Sequence, residues 1–298
     1  MRRHRMRDFA GKTAVITGAA SGIGAALAAK AAALGMNVVL ADVAVDGAGA
    51  VAQGLVGAQT LVMQCDVSDE GSVMRLADAA YERFGAVDLL CNNAGIVPGG
   101  RHRLVWEYTA SDWQWSIGVN LYGVTHGLRA FVPRMIMGGR PAHILNTASV
   151  AGFVSGSGSA CYGAAKHAMV RVTEALYAGL QQVGAPIGVT MLCPGLVRTQ
   201  IYEAERLRPA ALANAERPAE SADLDAMRDD LYRNALGPEE AAAMAFEAIE
   251  QGRFYAFTTD AFDAAIRDRA DSIMSRANPT FASIVEMSRM ESLSRATK

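Results

Sequence analysis

Tyr162 and Lys166 are four residues apart, so on a helix they sit one turn apart on one face. At about 100° per residue, that face continues through Met169, Leu176 and Leu180, an apolar stripe. A lysine heading such a stripe is unusual, because an ammonium is almost never buried without a partner. Two accounts fit. Either Lys166 snorkels out to solvent at the helix start, or its charge lowers the pKa of the neighbouring phenol and makes Tyr162 an acid/base group near neutrality. Tyr-x-x-x-Lys alone occurs often by chance. Ser149 adds weight: it lies 13 residues before Tyr162, just past the strand-like run His143–Thr147. Ligands bind at the carboxyl ends of strands in open α/β sheets.

A second group of residues points to a nucleotide. A short apolar run ends in Thr17-Gly18-Ala19-Ala20-Ser21-Gly22-Ile23-Gly24, and a helical segment follows at once. Glycines let the backbone turn tightly and approach a pyrophosphate, which then rests on the open N–H groups of the helix start. The spacing is Gly-x-x-x-Gly-x-Gly, and the strand–turn–helix setting makes a nucleotide site the better reading over a plain turn. Asp42 closes the second strand, 18 residues beyond Gly24. A carboxylate there can accept from both hydroxyls of an adenosine ribose and repels a 2′-phosphate. Val43 follows it, and no Arg or Lys is placed to receive such a phosphate. NAD is therefore favoured over NADP, the alternative being a solvated acid at a strand end.

The elements that position these residues alternate regularly. Strand-like runs are Thr13–Ile16, Asn37–Leu40, Gln59–Met63, Val87–Leu90, His143–Thr147, Ile187–Leu192 and Phe254–Phe257. Most are continuously apolar, as for strands covered on both faces. Helix-length segments lie between them: Ile23–Leu34, Ser68–Phe84, Ser111–Met137 and Tyr162–Gln182. This predicts an α/β fold, a doubly wound parallel sheet of about seven strands with helices on both faces. No repeat or linker divides residues 1–298, so one Rossmann-type domain is expected. Residues 1–8 read as a frayed basic arm. Residues 196–237, charged and Ala-rich with Pro209 and Pro218, read as a lid over a ligand crevice. Residues 238–298 hold C-terminal helices and the last strand, with Pro238, Glu239 and Glu240 opening a helix.

Composition sets limits. The chain has 298 residues, 51% hydrophobic and 19% charged, with a net charge of −2. It can bury a sizeable core, and it lacks the clustered positive charge of a nucleic-acid binder. The uncharged stretch from Thr13 to Ala29 is broken by glycines and ended by Lys30, so no membrane span is expected. Cys65, Cys91, Cys161 and Cys193 are far apart, with no histidine at metal-ligand spacing. They read as small buried hydrophobes and no metal site is expected; reduced thiols point to the cytoplasm. His167 points about 100° away from the Tyr162 face. His102, in the Gly99–Arg103 loop, is not expected to be catalytic. Trp106, Trp113 and Trp115 read as core or lid packing, and Gly118, Gly123 and Gly127 would allow close helix approach, within the chain or between chains.

Together with Asn92-Asn93-Ala94-Gly95 after the fourth strand and Pro194-Gly195 after the sixth, the Tyr162/Lys166/Ser149 set and the glycine turn resemble the short-chain dehydrogenase/reductase family. The resemblance runs from about Phe9 to Thr199. It implies a tetrad: Tyr162 exchanges a proton with the substrate oxygen, Ser149 orients that oxygen, and Lys166 binds the nicotinamide ribose and depresses the tyrosine pKa. Asn120 holds a water linking Lys166 to solvent; its alternative is a hydrogen bond to nearby backbone. Cofactor contacts are implied for Gly18, Ser21, Gly22, Ile23 and Gly24, for Asp42, and for Asp66 and Val67 at the adenine. Asn93, Ala94 and Gly95 line the ribose side; Pro194, Gly195, Val197 and Thr199 lie at the nicotinamide. Asp66 alternatively only starts a turn. The family implies a secondary-alcohol or ketone substrate and a homodimer or homotetramer. The segments Tyr202–Pro209 and Phe131–Met135 are similar to a branch acting on bulky aromatic alcohols. A silent dinucleotide sensor is the competing class, but it has no need of Ser149, Tyr162 and Lys166 together.

Overall fold

The computed structural model describes residues 4–99, 103–156, 159–215, 232–281 and 284–296. Seven strands form one sheet: β1 (Thr13–Thr17), β2 (Asn37–Asp42), β3 (Thr60–Gln64), β4 (Leu89–Asn92), β5 (Ala142–Thr147), β6 (Ile187–Cys193) and β7 (Tyr255–Phe257). All pairs are parallel, in the order β3-β2-β1-β4-β5-β6-β7. Every residue of β1, β4, β5 and β6 is buried. Their continuous apolar character has this cause, since alternate side chains enter core clusters on opposite faces. The order reverses beside β1, which pairs with β2 on one side and β4 on the other. A crevice opens at the carboxyl ends of the strands at such a switch point.

The helices are α1 (Gly22–Ala33), α2 (Val45–Gln53), α3 (Glu70–Phe84), α4 (Ala110–Ile117), α5 (Gly123–Gly138), α6 (Ala160–Gln182), α7 (Pro238–Gln251), α8 (Asp263–Ser275) and α9 (Ile284–Ala296). Helix α2 has no counterpart among the expected segments, because Gly47 and Gly49 weaken its helical signal. The expected helix start at Ser68 moves to Glu70, since the Asp69 side chain caps it by accepting from the N–H groups of Gly71 and Ser72. The long helix expected over Ser111–Met137 is α4 and α5 joined by a π-helical turn, Gly118–Tyr122. Pro238 does open α7, where Gly237 N–H donates to Glu240 Oε2 at 2.9 Å.

One expectation changes. Within the arm, Met6 is buried together with Phe9 in the core, and the Phe9 ring lies 5.4 Å from that of Phe246. Only the apolar residues of this stretch are drawn in, leaving Arg5 and Arg7 exposed. The helix glycines serve packing within the chain: a Cβ at Gly123 would stand 2.6 Å from Val67 Cγ2, and one at Gly127 2.1 Å from Asn92 Oδ1. The excursion over 196–237 is pinned at its base by a parallel bridge between Val197 and Leu236. Its residues 216–231, with Pro218, lie outside the described residues, as does His102. Among the described residues, no helix is long and apolar enough to cross a membrane, and no group of three or more His, Cys, Asp or Glu is arranged to hold a metal.

Candidate active site

A cavity of about 650 Å³ opens where the strand order reverses, lined by the glycine turn, Asp42, Asp66, Asn93, Ser149, Tyr162, Lys166 and the loop after β6. The glycines are required by geometry. Gly18 and Gly22 have φ of +67° and +54°. A Cβ at Gly18 would stand 2.8 Å from Ala94 Cα, and one at Gly24 2.0 Å from the Gly18 carbonyl oxygen. Ser21, at the N-cap of α1, makes no side-chain cap bond. The first N–H groups of α1, with Ile23 and Gly24, are thus left for an anion. A Cβ at Gly22 would meet Thr199 Cγ2 at 2.9 Å, so the turn and the loop after β6 close on the crevice from two sides.

Asp42 is buried at the end of β2 and anchors the turn: Oδ2 accepts from Ala20 N–H and Oδ1 from Ala44 N–H, both at 2.9 Å. Each oxygen keeps a second lone pair for a ribose hydroxyl. Thr17 Oγ1 accepts from the N–H groups of Asn93 (3.0 Å) and Ala94 (3.1 Å), and Asn93 Nδ2 returns a bond to Thr17 O at 3.0 Å. These bonds hold Asn93, Ala94 and Gly95 beside the turn. Asp66 does build a turn, accepting from Ser68 N–H and Oγ, while also lining the cavity. Val67 is buried, packs against Gly123, and lines the cavity too.

The proton-active groups meet on the other side. Tyr162 and Ser149 line the cavity together, and the Ser149 side chain acts on the buried phenol as a hydrogen-bonding group. Ser149 Oγ also accepts from Ala151 N–H at 3.2 Å. Lys166 Nζ is 5.6 Å from the Tyr162 ring centroid and donates to Thr147 O at 2.7 Å. At 2% exposure the lysine does not snorkel. Its ammonium has three donors; among the described residues Thr147 takes one, leaving donors on a group that lines the cavity. The expected lowering of the phenol pKa is not found. Burial raises the Tyr162 phenol above its usual range, opposed by the Ser149 hydrogen bond and assisted by Tyr202. Burial also lowers Lys166 to about 8. Desolvation is the largest influence on both groups.

Asn120 sits fully buried in the π turn. Its Nδ2 donates to Ile96 O (2.9 Å) and Ser116 O (3.0 Å), and its Oδ1 accepts from Ile96 N–H at 3.0 Å. This is the backbone-bonding alternative: the side chain braces the Gly95–Ile96 turn. A Cβ at Gly95 would lie 3.1 Å from Asn120 Oδ1 and 3.5 Å from Lys166 Nζ. Pro194 O accepts from Val150 N–H at 3.0 Å, which ties the loop after β6 to Ser149.

Several cavity residues carried no catalytic or cofactor-binding motif to find them by. Tyr108, Trp115, Tyr202, Tyr232 and Phe262 line the cavity. Trp115 is buried with Ile96 and Ala204, whereas Trp106 is 78% exposed. From α9, Ser288 reaches the cavity, and buried Glu291 Oε2 accepts from Leu196 N–H at 3.2 Å. A Cβ at Gly195 would stand 2.6 Å from that same oxygen. The only available signal was the helical period of 284–296, which says nothing of the partner.

Comparison with known proteins agrees with this geometry. A profile of the short chain dehydrogenase family matches residues 12–209. The chain is 39% identical to the 1-deoxy-11-beta-hydroxypentalenate dehydrogenase of Streptomyces avermitilis over 83% of its own length and 84% of the relative's. It is 34% identical to the meso-2,3-butanediol dehydrogenase of Serratia marcescens, covering 83% of this chain and 90% of that one. A crystal structure of a short chain dehydrogenase/reductase from Burkholderia phymatum in complex with NAD superposes with a TM-score of 0.86 at 44% identity, over 93% of this chain and 99% of that one. The chain belongs to the short-chain dehydrogenase/reductase family of oxidoreductases.

Proposed function

We propose that the protein is an NAD-dependent oxidoreductase that interconverts a secondary alcohol and a ketone, and that its substrate is bulky and largely apolar. The observation that carries this reading is the convergence of Ser149, Tyr162 and Lys166 in one cavity with the glycine turn and Asp42. Bound NAD supplies the hydride acceptor. The turn from Gly18 to Gly24 receives the pyrophosphate, Asp42 the adenosine ribose hydroxyls, and Asp66 with Val67 the adenine. Asn93, Ala94 and Gly95 bound the ribose side, and Pro194, Gly195, Val197 and Thr199 the nicotinamide side.

The remaining chemistry belongs to the side chains. Ser149 hydrogen-bonds the substrate oxygen and orients it. Tyr162 Oη takes the hydroxyl proton during oxidation and returns it during reduction. Lys166 grips the nicotinamide ribose through donors that Thr147 leaves over, and its charge favours the phenolate. Asn120 acts through the Gly95–Ile96 turn that it braces beside Lys166. Both named relatives act on hydroxyl-bearing compounds, of differing size. The aromatic lining of Tyr108, Trp115, Tyr202, Tyr232 and Phe262 favours a bulky one here. The same reading makes the protein a cytoplasmic homodimer or homotetramer, which light scattering tests.

The decisive experiment measures NAD reduction with a panel of secondary alcohols, comparing wild type with Tyr162→Phe. Wild type turns over at least one bulky alcohol, and the variant loses about 10²–10⁴-fold in kcat while still binding NAD. Tight NAD binding without turnover of any alcohol would instead favour a dinucleotide sensor.

A further inference from the structure

Four charged side chains outside the proton-active set, three of them buried and Glu205 partly so, meet where the excursion after β6 reaches α4. Asp112, with no exposed surface, lies in the first turn of α4. Its Oδ2 accepts from Arg103 Nη1 at 2.5 Å and from Thr109 N–H at 3.1 Å. Its Oδ1 accepts from Arg208 Nη2 at 2.6 Å and Asn214 Nδ2 at 3.0 Å. Arg208 also donates through Nε to Glu205 Oε2 at 2.8 Å and through Nη1 to Leu212 O at 3.1 Å. Glu205 Oε1 accepts from Gly99 N–H at 2.9 Å, while Arg103 Nη2 donates to Gly99 O at 3.0 Å. Two cations and two carboxylates thus join three segments: the loop after β4, the start of α4, and residues 205–214.

The arginines also have stacking faces. The Arg208 guanidinium lies 4.3 Å over the Trp115 ring, and that of Arg103 4.4 Å over Tyr108. Both rings line the cavity, as do Ala204 and Leu207 beside the clamp. Burying a charged cluster is a poor way to gain stability, since apolar side chains of similar volume often do as well. Fixed direction is what planar, forked guanidinium groups add. Burial raises the Asp112 pKa, but hydrogen bonds from Asn214 and Arg208 prevail and hold it down at about 2, so Asp112 stays charged at neutral pH.

We propose that Arg103, Asp112, Glu205 and Arg208 are positioning residues that fix the Trp115–Tyr108–Ala204 wall of the substrate cavity and so set its selectivity for bulky over small alcohols. This rests on the reading of the protein as an alcohol dehydrogenase. The wall is set before substrate arrives, so its shape, and not closure on the ligand, does the selecting.

The test compares wild type with Arg208→Met, Arg208→Lys and Glu205→Gln, each loaded with NAD. Calorimetric Kd and steady-state KM and kcat are read for 2-butanol and for 1-phenyl-1-propanol. Arg208→Met is expected to raise Kd and KM for the aromatic alcohol at least tenfold, with those for 2-butanol and both kcat values within about twofold. Tryptophan emission moves to the red as Trp115 gains exposure, and NAD affinity stays the same. Lysine at 208 keeps the charge without the fork and fails to restore KM; Glu205→Gln shifts it in the same direction by a smaller factor. An equal loss for both alcohols, or a red-shifted Trp115 with KM unmoved, overturns the proposal. If Arg208→Met does not fold, Glu205→Gln decides by the same split. If wild type binds both alcohols without oxidising either, the alcohol dehydrogenase reading fails, while the Kd ratio still decides the wall's role.

Discussion

Lys166 stands one helical turn beyond Tyr162, its Nζ 5.6 Å from the ring centroid and bonded to Thr147 O at 2.7 Å. With burial raising the phenol and lowering the lysine to about 8, neither group carries its ordinary proton affinity in the protein without ligands. Oxidation requires Tyr162 as the phenolate, which accepts the hydroxyl proton, so its kcat/KM should rise with pH through the alkaline range; ketone reduction requires the protonated phenol and should fall. Lys166→Met removes the charge that favours phenolate. It should move the rising limb further alkaline and lower kcat at neutral pH by about 10²–10⁴-fold. A pH–rate profile of both directions checks this, and a limb that stays in place in the variant would detach Lys166 from the phenol.

Asp42 has a double duty, bracing Ala20 and Ala44 and facing the cavity. NAD is expected to bind much more tightly than NADP. Asp42→Ala should narrow that gap about ten- to hundredfold, the value of hydrogen bonds to a charged acceptor at roughly 1.5–3 kcal/mol. Fluorescence titration with both cofactors measures it. Equal affinities in the unaltered protein count directly against the assignment.

Gly24→Ala places a Cβ 2.0 Å from a backbone carbonyl oxygen that cannot swing away. A loss of about 1–3 kcal/mol or more in stability is expected, together with at least tenfold weaker NAD binding. Gly179→Ala is the matched control, since nothing lies within 4 Å of its Cβ on α6. There the helix should gain about 0.5–1 kcal/mol. Thermal melts with and without NAD separate the two cases.

His143 is fully buried on β5, bonded through Nε2 to Thr190 Oγ1, and burial lowers its pKa to about 3. The unfolded chain takes up a proton near 6.5, whereas the folded one resists it until about 3. Stability conferred by the neutral ring is therefore full above 6.5 and is lost as pH falls toward 3. The fall to pH 5 amounts to about 2 kcal/mol. Asp112 adds its own loss only at more acid pH, between 3.8 and about 2. In urea melts across pH 7 to 4, His143→Gln should flatten the limb between 6.5 and 5. A limb equally steep in the variant would place its origin elsewhere.

The sequence by itself determined what depends on neighbours along the chain. Continuous apolar runs between helical segments require a parallel sheet covered on both faces. Gly18, Gly22 and Gly24 between a strand and a helix mark the phosphate turn, and the four-residue step from Tyr162 to Lys166 sets them on one face. The strand limits differ from the expected ones by a residue or two because pairing partners, not local pattern, end a ladder. Tertiary structure alone decided the rest. Asp112 and Arg208 are 96 residues apart, and Leu196 and Glu291 are 95 apart, so no periodicity links them. The π turn that brings Asn120 onto Ile96 has no local signature. Met6 was drawn from an arm into the core because a pocket existed to take it. The sign of the Tyr162 shift was also beyond local reading, because spacing places an ammonium near a phenol, whereas only three-dimensional burial sets how much water both have lost.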